Sequence, residues 1–190
     1  MNADDIKAVV CCYWRFVRHC PIVATETTIG KYGFALEYPP DVMAVSKNGF
    51  LVETEIKVSI ADLRREIVKR KYKVLGQQFP AWGTIAKYFY FAMPTTLIAR
   101  AKPILRDLYP GAGLLAIEEP GDGVFSSVLH CYADVVVKPK ALSEAQRLSV
   151  EATHNLTLRV VNQMCSAMLD AANARRGKLG VQIEMGGINP

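Results

Sequence analysis

Two carboxylates and an ammonium group share one face of a predicted β-strand near the middle of the chain. In the stretch 50–58, apolar residues alternate with Glu53, Glu55 and Lys57, so these three side chains point the same way. Carboxylate oxygens are the hard ligands that suit Mg²⁺ or Mn²⁺, and an ammonium group can stabilise developing negative charge. The ordinary alternative is an edge strand with its charged face in water, because buried charges are costly unless they are paired or bind a metal.

A third carboxylate, Asp41, begins the preceding predicted strand 41–45, and its face depends on the turn between the two strands. A two-residue Asn48-Gly49 turn puts Asp41 on the face away from Glu55. A three-residue loop, Lys47 to Gly49 with Gly49 left-handed, places Asp41 opposite Glu55. A site that uses both carboxylates therefore predicts the three-residue loop.

Pro40-Asp41 followed by Glu55-Ile56-Lys57 resembles the motif of the PD-(D/E)xK nuclease superfamily. Over about residues 20–140 the chain resembles the MmcB-like DNA-repair proteins and related phage-encoded nuclease-like proteins. In that group a strand ending in Glu-x-Lys-x-Ser leads into a helix with an Asp three residues after the Ser.

Ser59 and Asp62 stand at those two positions of the group's pattern. The aromatic strand 88–94 and the segment 111–115 also fit the strands that follow in the group. The long helix that Ser143 is expected to cap departs from the group's pattern, so the resemblance does not assign it a role.

The resemblance implies a restriction-endonuclease-like α/β fold, which is a mixed β-sheet flanked by helices. It implies a Mg²⁺-dependent (or Mn²⁺-dependent) DNA endonuclease or nickase in DNA repair, recombination or phage DNA processing. Asp41 and Glu55 would be metal ligands, with the backbone carbonyl of Ile56 a third, and Lys57 would orient the attacking water or stabilise the transition state. The alternative is a non-catalytic DNA-binding or assembly protein that retains the fold.

Four other polar residues are candidates for supporting roles. Glu26, on the strand before Asp41, is either a further metal ligand or an exposed strand residue. Glu53 is either a second acid of the site or a solvated neighbour. Ser59 and Asp62 are expected to cap the helix that follows the strand, and their position after Lys57 also allows them to support the site.

A run of basic residues follows on this predicted helix. Such a run is usually a solvated helix face, but here it adjoins the candidate site, so it is also the predicted contact with DNA phosphates. The candidates are Arg64, Arg65, Lys69, Lys71 and Lys73, and the net charge of +5 is a mild indication of the same kind.

Composition restricts the protein class. Of the 190 residues, 51% are hydrophobic and 22% are charged, which excludes wholesale disorder. No stretch of about 20 uncharged apolar residues is present, so we expect no membrane association. The five cysteines form no Cys-x-x-Cys pair, which indicates reduced thiols in a cytoplasmic protein and disfavours a zinc site. The resemblance implies that this protein is bacterial or phage-encoded.

The element order predicts the domain organisation. A helix, three strands, a helix, a strand, a helix, further strands and a last helix indicate one α/β domain. We expect residues 1–140 to form the nuclease-like core and residues 141–177 a C-terminal helix packed on the core or on a partner, for instance in a homodimer. Residues 178–190 are predicted to be a flexible tail.

Overall fold

The computed structural model describes residues 1–27, 39–66, 86–119, 132–143 and 145–185, with the side chains of the last helix described as far as Arg176. Four α-helices and six strands are present in these ranges. The elements are α1 Ala3–Cys12, which continues as a π-helical turn Tyr13–Val17, β1 Ile22–Thr25, β2 Val42–Val45, β3 Leu51–Ile56, α2 Ile60–Arg65, β4 Tyr88–Pro94, a 3₁₀ turn Thr95–Leu97, α3 Ile98–Leu108, β5 Gly113–Ile117, β6 Ala133–Val137 and α4 Val150–Met185.

The six strands form one mixed sheet in the order in which they occur along the chain. The pairs β1–β2, β2–β3 and β5–β6 are antiparallel, whereas β3–β4 and β4–β5 are parallel. The helices flank this sheet, so the predicted α/β class is confirmed. Strand β3, which carries the candidate residues, lies in the interior of the sheet with all six residues buried.

Helices cover both faces of the sheet. On the first face, α1 packs on a cluster that includes Val52 and Ile56 of β3, and the Trp14 indole N–H donates to Thr54 Oγ1 at 3.0 Å. On the second face, α2 and α3 pack on an aromatic cluster around Phe91. Successive β3 side chains therefore alternate between the two faces, and the odd-numbered charged residues fall on the α2 side.

The start of α4 differs from the prediction. The helix begins at Val150 rather than after Ser143, because the backbone amides before it bond to the sheet region instead: Leu142 N–H donates to the Lys87 carbonyl at 3.0 Å and Leu148 N–H to the Gly49 carbonyl at 2.9 Å. Ser149 takes the capping role, since its hydroxyl accepts from the Ala152 amide at 3.1 Å.

The end of α4 also differs from the prediction. The helix continues to Met185, past the expected boundary at residue 177 and through the first part of the expected tail 178–190. Gly177 and Gly180 lie within the helix, where each costs about 1 kcal/mol relative to alanine without breaking the backbone hydrogen bonds as proline does. Residues 186–190 lie outside the described residues.

Within the described part of the chain, none of the helices combines the length and the apolar character needed to cross a bilayer.

Candidate functional site

The β2–β3 hairpin has the loop on which the candidate site depends. Val45 pairs with Leu51, the Ser46 amide donates to the Phe50 carbonyl at 2.9 Å, and Gly49 is left-handed with φ of +78°. The loop therefore has three residues, 47–49, as the chemical hypothesis predicts. Val42, the first residue of β2, pairs with Thr54, so continuing the same register puts Asp41, the residue before β2, at the level of Glu55.

The left-handed Gly49 gives a first test of how the register is maintained. A Cβ atom at this position would meet only Arg147 side-chain atoms at 3.7 and 4.0 Å, so the cost of a side chain comes from the backbone conformation. We expect Gly49→Ala to lower the free energy of unfolding by about 1–2 kcal/mol. Gly49→Asn should lower it less, because Asn tolerates the left-handed region better. Urea unfolding of the two variants measures the difference, and equal stability of Gly49→Ala and wild type would contradict the assignment.

Asp41 is tied to the backbone of β3. One of its carboxylate oxygens, Oδ2, accepts a hydrogen bond from the Ile56 amide at 2.7 Å, and the residue is half-buried. The short distance is typical of a charge-assisted bond. This contact joins the start of β2 to the end of β3 and places the Asp41 carboxylate beside the Glu55–Lys57 segment.

Glu55 and Lys57 are charged residues in the interior of the protein, with 3% and 4% of their surfaces exposed. Lys57 Nζ lies 3.6 Å from Glu55 Oε2. Glu53 is buried as well, at 8% exposure. The edge-strand alternative is therefore wrong for β3, and so is the alternative that Glu53 is a solvated neighbour, because β2 and β4 flank β3 and helices cover it.

A further carboxylate that the sequence analysis missed, Glu66, completes this group. It follows the last residue of α2, is 1% exposed, and its Oε2 lies 3.0 Å from Lys57 Nζ. The Lys57 ammonium group thus contacts two buried carboxylates from two different elements. Helical spacing could have identified Glu66 from the sequence. It comes three residues after the buried Leu63, so it lies on the same inward side of α2.

Hydrogen bonds near both ends of helix α2 fix its position over the sheet. The Ser59 hydroxyl accepts from the Asp62 amide at 3.1 Å, so the predicted N-cap is confirmed. Near the other end, the Leu63 carbonyl accepts from the Glu66 amide and also from the Tyr109 hydroxyl, at 2.6 Å, which ties this end of α2 to the residue that follows α3. The Ser59 hydroxyl therefore fixes the start of the helix that delivers Glu66 to Lys57, and Asp62 takes part in this cap through its backbone amide.

Glu26 is placed differently from the other acids. Its backbone is left-handed, with φ of +48°, and its exposed carboxylate pairs with Lys7 of α1. This hydrogen bond to Glu26 raises the pKa of Lys7. The structure therefore supports the exposed alternative for Glu26. The β1–β2 pairing ends at Thr25, and the left-handed backbone of Glu26 comes directly after it.

The predicted DNA-contacting residues fall partly within the described ranges. Arg64 and Arg65 lie on the exposed side of α2, close in sequence to Glu66. Lys69, Lys71 and Lys73 lie outside the described residues.

The side chains at the candidate site can be compared with the ligands that Mg²⁺ and Mn²⁺ prefer. Asp41 and Glu55 supply carboxylate oxygens from facing positions, and hard oxygen donors are what Mg²⁺ and Mn²⁺ prefer, so the donor set fits in kind. In the described ranges, no three His, Cys, Asp or Glu side chains form a group arranged to hold a metal ion.

Cys11 and Cys20 do not resemble activated nucleophiles. Burial raises the pKa of the Cys11 thiol to about 12 and also raises that of Cys20. Both thiols are therefore protonated at neutral pH, and the thiolate is the reactive form.

No protein-family model and no curated protein matches the chain. Among solved structures, the fold is similar to that of a protein of unknown function from Silicibacter pomeroyi, with a TM-score of 0.52 and 16% sequence identity. The similarity covers 93% of this chain and 95% of the other. At this identity the comparison bears on the fold alone, and it extends over nearly the whole length of both chains.

Proposed function

We propose that this protein is a metal-dependent DNA endonuclease or nickase of the PD-(D/E)xK type, with a restriction-endonuclease-like fold. The observation that carries the proposal is the hydrogen bond that Asp41 accepts from the Ile56 amide, because Ile56 stands between the buried Glu55 and Lys57 at the end of an interior strand. The hairpin register that brings Asp41 opposite Glu55 is the one that this function requires. DNA repair, recombination or phage DNA processing are the settings that the resemblance favours.

The burial of charge at this site supports a functional role. Replacing a buried ion pair with apolar residues of similar volume is often neutral or stabilising, so a purely structural core has little use for Glu55, Lys57 and Glu66. Ion pairs with Glu55 and Glu66 hold the Lys57 ammonium group in one place between two acids. A fixed cation in a water-poor site is suited to stabilise negative charge that develops during a reaction.

Each residue of the group has a distinct role in the proposed reaction. Mg²⁺ or Mn²⁺ would neutralise phosphate charge and lower the pKa of a bound water molecule. Asp41 and Glu55 would hold that ion. Lys57 would orient the attacking water and stabilise the charge on the phosphate oxygens, and Glu66 would keep the ammonium group in position. The exposed Arg64 and Arg65 would contact the DNA backbone.

A cleavage assay tests the proposal. The substrates are supercoiled, linear, single-stranded and branched DNA, each with Mg²⁺, Mn²⁺ or EDTA. We expect metal-dependent nicking or cleavage by the wild type and its loss in Asp41→Ala and in Lys57→Ala. Lys102→Ala, which removes an exposed cation from α3, is the matched control and should retain activity. If no substrate is cleaved and DNA binding is the same in all four proteins, the nuclease proposal is wrong and the protein is a binding or assembly module.

A further inference from the structure

Helix α4 packs on the sheet through only one of its sides. Ala152 and Leu156 are buried against β1, β2 and β3, with Val160 half-buried beside them. Gln163 continues this side, since its amide nitrogen donates to the Thr25 carbonyl at 2.8 Å and to Thr27 Oγ1 at 3.0 Å. We call this the inner side of α4.

The opposite side of the same helix is apolar and exposed. With 3.6 residues per turn, each residue advances about 100° around the axis, which places the large exposed apolar residues of this stretch away from the inner side. We define the outer face of α4 by Leu158, Val161, Met164, Cys165, Met168, Leu169 and Ala172. Its five large side chains, those of Leu, Val and Met, are 43–65% exposed.

The spacing along the outer face is that of a helix-pairing seam. Leu158, Val161, Cys165, Met168 and Ala172 follow each other at alternating intervals of three and four residues. This is the heptad spacing of apolar seams in coiled coils. The outer face therefore has the pattern of a helix that packs against another helix along its length.

The helix also extends far beyond its contacts with the sheet. Twenty-two residues follow Gln163 before the helix ends at Met185, a length of about 33 Å. Every residue from Val161 to Arg176 is exposed. Most helical stability in proteins comes from packing an apolar face rather than from helix propensity.

We propose that the outer face of α4 binds the outer face of α4 in a second copy of this chain, with the two helices antiparallel. The outer face carries no charged residue between Leu158 and Ala172, so it is self-complementary. Packing two such faces buries on the order of 1,000 Å² in total, which is the lower range of specific interfaces.

Charge favours the antiparallel orientation. A parallel pair aligns Arg175 and Arg176 of one copy with the same residues of the other, which is repulsive. An antiparallel pair in which position 165 faces position 168 sets Arg175 opposite Leu158 of the other copy, so the like charges no longer face each other. The antiparallel arrangement also points the two helix dipoles in opposite directions, which is electrostatically favourable.

The oligomeric state of the full chain tests the interface. We expect the wild type to sediment as a dimer, and Met168→Glu to raise its dissociation constant at least tenfold, because the variant places a charge in the seam. Ala167→Glu is the matched control, since it adds the same charge one residue earlier at an exposed position away from the outer face. A monomeric wild type, a Met168→Glu variant with the dissociation constant of the wild type, or equal dissociation of both variants would overturn the proposal. Circular dichroism checks that each variant is folded.

Disulfide formation tests the orientation. An antiparallel seam sets position 165 of one copy against position 168 of the other, whereas a parallel seam sets position 168 against itself. Met168→Cys should therefore give disulfide-linked dimers under mild oxidation when Cys165 is present and far fewer when Cys165→Ser is added. Efficient cross-linking in the double variant would overturn the antiparallel arrangement. Neither test depends on DNA cleavage, so the interface can fail or stand apart from the proposed function.

Discussion

A Lys57→Met variant is expected to unfold at a clearly lower urea concentration than the wild type and to lose DNA cleavage. The Lys57 ammonium group lies 3.0 Å from Glu66 Oε2 and 3.6 Å from Glu55 Oε2, and all three side chains are buried. Methionine keeps most of the volume but removes the cation that both carboxylates contact. Breaking a buried pair in this way typically costs about 3–5 kcal/mol.

The double variant Lys57→Met/Glu66→Gln separates the structural effect from the chemical one. Glutamine removes the negative charge of Glu66 and keeps its size, so the second substitution should restore part of the stability that the first removes. We expect a coupling free energy of about 0.5–3 kcal/mol between the two positions. Cleavage should stay lost in the double variant, because the stabilising cation at the reacting phosphate is still missing.

Lys102→Met provides the control for both measurements. Lys102 is exposed on α3, and a surface substitution of this kind usually changes stability by no more than about 0.5 kcal/mol. If Lys57→Met were as stable as Lys102→Met, the buried ion pairs would contribute nothing to the fold. If it were less stable but still cleaved DNA, Lys57 would be structural only.

Local turn chemistry made the hairpin predictable from the sequence, but it left two registers open, because Asn48-Gly49 also fits a two-residue turn. The chemical hypothesis favoured the three-residue loop. A glycine in the third loop position permits the left-handed backbone that makes the loop three residues long, and this alone brings Asp41 opposite Glu55. The Ser59 cap was predictable for a similar reason, since it acts within one helical turn. These features depend on residues close together in the sequence.

The features that the sequence did not reveal depend on tertiary contacts. Glu66 reaches Lys57 because α2 packs over β3, and this packing is a tertiary contact that the residue spacing within α2 does not specify. Glu26 leaves the group because its backbone turns left-handed and its carboxylate pairs with Lys7 of another element. The start of α4 shifts because backbone amides before Val150 bond to Lys87 and Gly49 carbonyls far away in the sequence.

Asp41 has a structural role and a proposed chemical role, and two substitutions should separate them. Its Oδ2 accepts the Ile56 amide at 2.7 Å, so Asp41→Ala removes an acceptor as well as a charge. An unsatisfied amide costs about 1–3 kcal/mol. Asp41→Asn retains an oxygen that can accept the same hydrogen bond, so its free energy of unfolding should stay near that of the wild type. Urea unfolding of the two variants measures this difference.

Both Asp41 substitutions should remove metal binding, because neither supplies a charged oxygen ligand. We expect calorimetric titration with Mn²⁺ to show binding to the wild type and to the control Asp107→Asn, an exposed acid on α3, and to show its loss in both Asp41 variants. Cleavage should fall at least about 100-fold, since a bound ion supplies several kcal/mol of transition-state stabilisation. If Asp41→Asn bound Mn²⁺ and cleaved DNA like the wild type, Asp41 would serve only to join β2 to β3, and the metal site would have to be built without it.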